Sequence, residues 1–533
     1  MTTAATTIDD APASPAGASH PEQMPSTRQV IGFFTMVFGM FMAILDIQIV
    51  SSSIGEIQAG LAASSDEISW VQTSYLIAEV VMIPLSGYLS RLMSTRVLFT
   101  ISSLGFTIAS LACAFAWNIE SMIVFRAIQG FLGGAMIPTA FATTFALFPP
   151  SKRTGVTILI GLVATMAPTL GPTLGGWITQ ALSWHWLFLI NVVPGLAASL
   201  LVWSLLDVDK PDWSLLKTFD RIGLVLMATF LGTLEYVVEE GPRKEWFADQ
   251  HLLELAVVCA ISGVLFFWRV FTYAHPIVEL RAFKDRNFAI GCMFSFILGV
   301  GLYGAVYLMP LYLGQVRGLN SLQIGEIMFV TGAFQFASAP IAGALSRILE
   351  PRVMLALGLA LFGAGVWMTG QMTAEWGFWE FFLPQAVRGL SLMLCFMPIN
   401  SIALGTLPPD KVKNASGLYN LMRNLGGAIG LAILNTILSD QKQLHWNRVA
   451  QQVNAGRDSV NLWLESVAAK LGSSVSDAET AAMKKLVDIV QREAAVMSMN
   501  DAFLAMAAVF FLALLLMPLL KKAQPGAAGA DAH

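Results

Sequence analysis

Long apolar runs recur along almost the whole chain and are separated by short polar breaks. A helix needs about 20 apolar residues to cross the hydrocarbon core of a bilayer. Fourteen runs reach that length, near residues 30–51, 68–90, 96–117, 120–147, 154–180, 184–206, 221–239, 250–272, 287–313, 321–346, 352–372, 377–405, 414–438 and 499–520. The pattern predicts an all-α membrane protein with fourteen transmembrane helices.

The two halves of the chain repeat each other. Residues 84–91 (PLSGYLSR) match residues 340–347 (PIAGALSR) at an offset of 256, and residues 127–130 (AIQG) resemble 386–389 (AVRG) at an offset of 259. The first six helices are therefore expected to repeat as the last six. Repeats of the same orientation place a substrate site near mid-membrane, between two rocking halves.

This repeat divides the chain into five parts and leaves helices seven and eight as an insertion. The parts are a disordered cytoplasmic tail (1–28), a six-helix bundle (29–206), two inserted helices (207–286), a second six-helix bundle (287–520) and a second cytoplasmic tail (521–533). Within the second bundle, residues 440–497 are polar with helical periodicity and are expected outside the membrane. This segment either docks a partner protein or packs on the protein's own outer face.

Basic residues in the short loops predict the orientation. With the N-terminus inside, 18 Lys and Arg residues lie in short inner loops, against only Arg243, Lys244 and Arg317 in short outer loops. Because cytoplasmic loops carry the excess of Lys and Arg, both termini are expected in the cytoplasm.

Composition narrows the class further. The chain is 56% hydrophobic and 12% charged, whereas soluble domains carry roughly 25% charged residues. The four cysteines have no CxxC spacing, so we predict neither a metal site nor a disulfide. No GxxxxGK[ST] loop occurs, so the energy source is expected to be a proton gradient rather than ATP. We expect no cofactor and no nucleic-acid partner.

Several charged residues lie inside the predicted spans. An arginine in hydrocarbon costs about 2.5–3.5 kcal/mol on insertion scales unless it faces protein or water, so Arg126 indicates a polar interior. Glu79 and Glu235 are candidates for proton coupling, because burial favours the neutral form of a carboxylate. The alternative for Glu235 is an ordinary surface acid at a helix boundary.

Four motifs occur in order along the chain. They are residues 45–50 (LDIQIV, similar to LDxTIV), 126–130 (RAIQG, similar to RxxQG), 171–176 (GPTLGG, similar to GPxxGG) and 186–195 (WLFLINVVPG, similar to WxFxINVPxG). On these motifs the chain resembles the fourteen-helix drug:proton antiporters of the major facilitator superfamily, of the EmrB/QacA type and closer to EmrB.

The resemblance implies a multidrug exporter that exchanges hydrophobic or amphipathic small molecules for protons across the bacterial inner membrane. It implies Asp46 as the main coupling residue and Gly171, Pro172, Gly175 and Gly176 as the antiporter motif. It also implies an EmrA-like periplasmic adaptor and an outer-membrane channel as partners.

Other residues are candidates for the substrate cavity. Arg126 with Gln129 contacts a substrate or a carboxylate, or else it pairs structurally between the first and fourth helices. Arg388 suits an anionic substrate, and Met136 and Met397 offer an adaptable apolar surface.

The chain departs from the family pattern at two positions, and two other functions stay open. Arg91 occupies the position at which the family carries an acid between helices two and three, so the inner gate is expected to be built differently. Thr73 replaces an acid of QacA-like relatives, which argues against a dedicated dication pump. The alternatives are a dedicated exporter of one compound (a siderophore, fatty acid or aromatic weak acid) and a non-transporting membrane sensor.

Overall fold

A computed structural model of the chain describes residues 24–64, 67–453, 457–471 and 478–520, and the regular structure in these ranges is entirely helical. The predicted tail 521–533, and residues 1–23 of the predicted tail 1–28, lie outside them. The α-helices are α1 (Thr27–Ser52), α2 (Ile54–Leu61), α3 (Trp70–Met93), α4 (Thr95–Ala114), α5 (Ile119–Gly133), α6 (Met136–Leu147), α7 (Pro150–Ala181), α8 (Trp186–Leu189), α9 (Val192–Leu205), α10 (Arg221–Glu240), α11 (Gln250–Thr272), α12 (Arg286–Gln315), α13 (Ser321–Leu345), α14 (Pro351–Thr369), α15 (Phe378–Leu404), α16 (Pro409–Gln452), α17 (Asp458–Leu471) and α18 (Ala478–Ala513).

The prediction of fourteen membrane-spanning helices is confirmed. Within the described ranges, fourteen helical segments are long and apolar enough to cross a bilayer, with α5 and α6 forming one segment and α8 and α9 another. Large apolar side chains point away from the protein on the outer helices, for example Leu200, Val264 and Phe271, which are 66–70% exposed. Exposed apolar side chains in such number suit lipid rather than water.

Two of the spans are interrupted where proline removes a backbone donor. The fourth span breaks at Gly134 and Ala135, just before Pro138, and the sixth breaks at Ile190 and Asn191, just before Pro194. Proline cannot donate the helical hydrogen bond to the residue four positions earlier. The hydropathy pattern predicts these spans as single helices, because a break of two residues hardly changes a mean over twenty.

The internal repeat appears as matching helix contacts in the two bundles. Gly130 of α5 lies against the backbone of α3, where an added Cβ would be 2.2 Å from the Tyr75 carbonyl oxygen. Gly389 of α15 lies against α13 in the same way, with 2.4 Å to the Thr331 carbonyl oxygen. Small residues allow helix backbones to approach closely in a bilayer, so each glycine sets the spacing of one helix pair.

The two bundles meet along α3 with α16 and along α7 with α13, and α10 packs against both α3 and α16. We call the face at which α1 begins and α3 ends the basal face. Near this face Gly87 of α3 lies directly on α16, where an added Cβ would be 2.9 Å from the Asn414 Cα. The inserted helix α10 therefore borders the line along which the two halves separate.

The last helices extend well beyond a bilayer. With 44 residues, α16 is about 66 Å long at 1.5 Å per residue, roughly twice the 30 Å hydrocarbon thickness. Its far end is tied to α18 by the 2.7 Å contact between His445 Nε2 and Asp501 Oδ2. Over its described parts, segment 440–497 is helical and lies on the side opposite the basal face.

We expect Gly130→Ala and Gly389→Ala to destabilise the folded protein. Alanine is normally up to about 1 kcal/mol better than glycine inside a helix, but here the added carbon would overlap a backbone carbonyl, and overpacking costs about 1–3 kcal/mol. The measurement is the thermal unfolding midpoint in detergent.

Gly155→Ala in α7 is the matched control, since no atom lies within 4 Å of its added Cβ. An unchanged midpoint for Gly130→Ala and Gly389→Ala would contradict the proposed packing.

Candidate functional site

A cavity of about 510 Å³ lies between the two bundles, in the half of the molecule away from the basal face. Its walls come from α1, α3 and α7 of the first bundle, α12, α13 and α16 of the second, and the inserted helix α10. This volume falls within the roughly 300–1,000 Å³ of small-molecule sites.

Three glutamates face this cavity. Glu79 of α3 is 2% exposed, and its Oε1 atom has no hydrogen-bond partner among the described residues. Glu235 is 4% exposed and, with Glu239, lies on the last turns of α10. No lysine or arginine lines the described part of the cavity wall. The cavity can therefore take up protons or a cationic group at its carboxylates.

Glu239 is a cavity residue that our sequence analysis missed. It follows Glu235 by four residues, so both side chains lie on the same face of α10. That spacing is visible in the sequence, but the hydropathy pattern ends the span at residue 239 and so gives no sign that its side chain faces the interior. Glu235, whose alternative was an ordinary surface acid, lies inside the protein at the cavity wall.

The rest of the wall combines apolar surface with uncharged polar groups. Leu76, Val80, Val306, Leu311 and Leu431 supply aliphatic surface. The uncharged polar side chains are Gln48, Ser51, Gln72, Tyr303, Tyr307, Asn424 and Asn435. A mostly apolar wall with a few fixed polar groups suits an amphipathic ligand.

Asp46 lies behind the wall of this cavity, in a buried polar network. The two following residues of α1, Ile47 and Gln48, line the cavity, but the Asp46 carboxylate is 1% exposed. Asp46 Oδ2 lies 2.6 Å from Arg126 Nη1, and Oδ1 accepts hydrogen bonds from Gln129 Nε2 at 3.0 Å and Asn191 Nδ2 at 2.7 Å. Four side chains thereby connect α1, α5 and the break between α8 and α9.

Arg126 is enclosed completely. Its guanidinium donates to the Val71 carbonyl of α3 at 3.1 Å and to Gln129 Oε1 at 2.7 Å. The ring of Tyr75 lies 4.2 Å from the guanidinium carbon, a favourable position for a cation over an aromatic face. Of the sequence candidates, the structure brings Asp46, Arg126 and Gln129 together, and it separates them from the cavity.

The second bundle repeats this motif with its two polar residues exchanged. Gln385 and Arg388 of α15 occupy the positions of Arg126 and Gln129, at the repeat offset of 259. Arg388 Nη2 donates to Gln385 Oε1 and, at 3.0 Å, to Thr331 Oγ1. Arg388 is 3% exposed and does not line the cavity, so its position lends no support to an anionic substrate.

The two methionine candidates lie in the packed interior rather than at the cavity. Met136 is fully buried beside Gly39 of α1, and Met397 is 4% exposed in a cluster with Met354 and Met393. Adaptable methionine side chains fill packed helix interfaces as readily as they line a cavity.

The antiporter motif lies where α7 meets both its own bundle and the other. Gly171 packs on Gln48 of α1, and Pro172 lines the cavity. Gly175 and Gly176 are buried one turn further along. Thr173, within the motif, faces Gly325 of α13, where an added Cβ would be 2.3 Å from its Cγ2 atom. The motif therefore contacts the cavity and the opposite bundle at once.

Comparison with known proteins identifies the family. The model of the Major Facilitator Superfamily matches residues 36–431. The chain belongs to this superfamily. It is a multi-pass membrane transporter rather than an enzyme, and its fourteen membrane-spanning helices agree with the expected major facilitator fold.

Individual proteins agree with this assignment. The chain is 42% identical over 479 residues to the colistin resistance protein EmrB of Acinetobacter baumannii, covering 90% of this chain and 94% of that protein. It is 30% identical over 416 residues to the multidrug export protein EmrB of Haemophilus influenzae, covering 78% and 81%. Among solved structures it resembles the human organic anion transporter MFSD10, with a TM-score of 0.59 at 13% identity over 93% of this chain and 100% of that one, which is a likeness of fold alone.

We expect Asp46→Asn to lower stability strongly, because it leaves Arg126 buried without its counter-charge. Removing one partner of a buried ion pair costs about 3–5 kcal/mol, whereas replacing both partners is often nearly neutral. The thermal unfolding midpoint should therefore fall further in Asp46→Asn than in the double variant Asp46→Asn, Arg126→Met.

Val124→Ala is the control on α5, the helix of Arg126. Since Val124 is 55% exposed, this substitution should change the midpoint little. If the midpoint changes of the single variants Asp46→Asn and Arg126→Met simply add in the double variant, Asp46 and Arg126 are not coupled.

Proposed function

We propose that this chain is a proton-driven exporter of hydrophobic or amphipathic small molecules, with a preference for cations. The observation that carries the proposal is the amphipathic cavity between the bundles, which contains three carboxylates and no lining lysine or arginine among the described residues. The family membership supports transport, and the relative named as a multidrug export protein supports a broad substrate range.

The proposed exchange takes place at the cavity glutamates. When the cavity faces the outside, protons bind Glu79 and Glu235 and weaken their attraction for a bound cation, which leaves. When it faces the cytoplasm, the protons leave and a new cation binds the carboxylates. Alternating access then couples inward proton flow to outward substrate flow.

Asp46 has a different part in this proposal. Its carboxylate is occupied by Arg126, Gln129 and Asn191, so it is less available for exchange than Glu79. In this proposal the ion pair of Asp46 and Arg126 holds α1 and α3 in position. It thereby fixes the nearby cavity-wall residues Gln48 and Gln72. Proton exchange at Asp46 itself is the competing assignment, and the first experiment below separates the two.

We place the protein in a bacterial inner membrane with its basal face and both termini in the cytoplasm. The excess of Lys and Arg in the loops of the basal side supports this orientation. The described helices of segment 440–497 then lie in the periplasm, where an EmrA-like adaptor, itself joined to an outer-membrane channel, would meet them. The length of α16 and the tie between His445 and Asp501 support a rigid extension that such a partner could hold.

Glu79→Gln is expected to reduce substrate-driven proton movement clearly and to weaken cation binding, because only Glu235 then remains of the two exchanging carboxylates. Glutamine keeps the size and polarity of the side chain but cannot exchange a proton. The measurement is proton release from liposomes loaded with purified protein, on addition of lipophilic cations and aromatic weak acids.

Glu254→Gln, on the exposed side of α11, is the control and should behave as the parent. Proton movement that is undiminished in Glu79→Gln but lost in folded Asp46→Asn would transfer the exchange to Asp46. No proton movement in the parent with any compound would contradict proton-driven export.

The pair Glu235 and Glu239 is expected to favour substrates with two cationic centres. The double variant Glu235→Gln, Glu239→Gln should weaken binding of a dication by about tenfold or more, which corresponds to about 1.4 kcal/mol. It should change the binding of a neutral compound with a similar apolar body much less. Equilibrium binding to the purified protein measures both, and equal losses for the two compounds would contradict the electrostatic role.

A further inference from the structure

Close contacts between the two bundles seal the basal face. Gly87 of α3 lies on Asn414 of α16, and Gly417 of α16 lies on Ile83 of α3. A larger residue at either glycine would be crowded by the facing backbone. Ser416 Oγ, also on α16, donates to the Pro138 carbonyl of α6 at 2.9 Å. The first turns of α16 are thus pressed onto the first bundle, and the cavity is separated from the basal side.

Asp209 bridges the two bundles at the edge of this seal. It lies in the loop between α9 and the inserted pair, and 18% of its side chain is exposed. Its carboxylate accepts from the Thr95 amide at 2.9 and 3.2 Å and from Thr95 Oγ1 at 3.0 Å, at the start of α4 in the first bundle. The same carboxylate forms an ion pair with Lys413 Nζ of α16, in the second bundle.

The loop on the other side of the inserted pair makes a parallel set of contacts. Glu279 lies just before α12, and its carbonyl accepts from Asn414 Nδ2 at 3.3 Å. Its carboxylate lies 3.7 Å from Arg91 Nη1 at the end of α3. The Arg91 carbonyl in turn accepts from the Asp212 amide at 3.1 Å. Both connections of the inserted helices therefore cross the seal and hold the ends of α3 and α16.

We propose that Asp209 is the carboxylate that holds the basal face closed, and that the two connections of the inserted helices form the inner gate of this transporter. Opening the basal face moves α16 away from α4 and must separate Lys413 from Asp209. The hydrogen bonds from Thr95 keep Asp209 in place on the first bundle, so the same pair forms again on closure.

The partial exposure of this pair suits a gate. A fully buried ion pair is expensive to break, because each charge is left without a partner in a low dielectric. Lys413 and Asp209 are each 18% exposed, so water can solvate both charges as they part, and such pairs stabilise a contact only modestly. The pair favours the closed basal face without preventing it from opening in every cycle.

The test follows access to the cavity from the basal side. A cysteine introduced at Ala428, which lines the cavity, is labelled with a membrane-impermeant maleimide applied to that side; the four natural cysteines are buried. Lys413→Met leaves the Thr95 contacts intact, and Asp209→Asn keeps a hydrogen-bond acceptor beside Thr95. Each should raise the basal labelling rate roughly fivefold, the size expected for loss of a partly exposed ion pair.

The double variant Asp209→Asn, Lys413→Met should be labelled no faster than either single variant, because both remove the same interaction. Asp207→Asn is the matched control, since this exposed aspartate of the same loop engages Gln29 through its backbone carbonyl. Parent-like labelling of Lys413→Met, or independent effects that multiply in the double variant, would overturn the proposal. The readout requires neither a substrate nor proton coupling, so it stands or falls separately from the proposed export.

Discussion

Burial of the Arg126 guanidinium, without access to water, is the constraint on which the first bundle depends. Arg126 and Asp46 form an ion pair at 2.6 Å with both side chains inaccessible to solvent. A charge in so dry a place is tolerated only when it is paired and hydrogen-bonded. Gln129 and the Val71 carbonyl accept hydrogen bonds from the Arg126 guanidinium, and Asn191 donates one to the Asp46 carboxylate. The break in the sixth span at Asn191 is therefore part of the same arrangement, since it lies where that side chain reaches Asp46.

This network explains why the two halves differ although they repeat each other. The second bundle retains an arginine and a glutamine in exchanged positions, and Arg388 is bound by Gln385 and Thr331 rather than by a carboxylate. The acids that face the cavity come instead from α3 and the inserted helix α10. The insertion thus contributes both to the cavity, through Glu235 and Glu239, and to the basal seal, through the loops that flank it.

The sequence shows which residues lie within membrane-spanning helices, but not which way their side chains face. The fourteen spans and the repeat could be predicted from hydropathy and motif order, and a structural pairing of Arg126 between the first and fourth helices was one of the open alternatives. Whether a buried side chain faces the cavity or a neighbouring helix depends on helix rotation, which mean hydropathy does not contain. Met136, Met397 and Arg388 were for that reason assigned to the cavity, whereas they lie in packed helix interfaces, and Glu239 was overlooked. The loss of the usual acid at Arg91 was visible, but Asp209 was not, because it lies more than a hundred residues further along the chain.

In the proposed cycle, a cation and protons compete for the carboxylates of one cavity. The most direct test is calorimetric titration of the purified protein with tetraphenylphosphonium at a fixed pH, in buffers of different ionisation enthalpy. The dependence of the observed heat on the buffer gives the number of protons released on binding. We expect the parent protein to release protons on binding and Glu79→Gln to release clearly fewer. A binding heat that is the same in every buffer would contradict it.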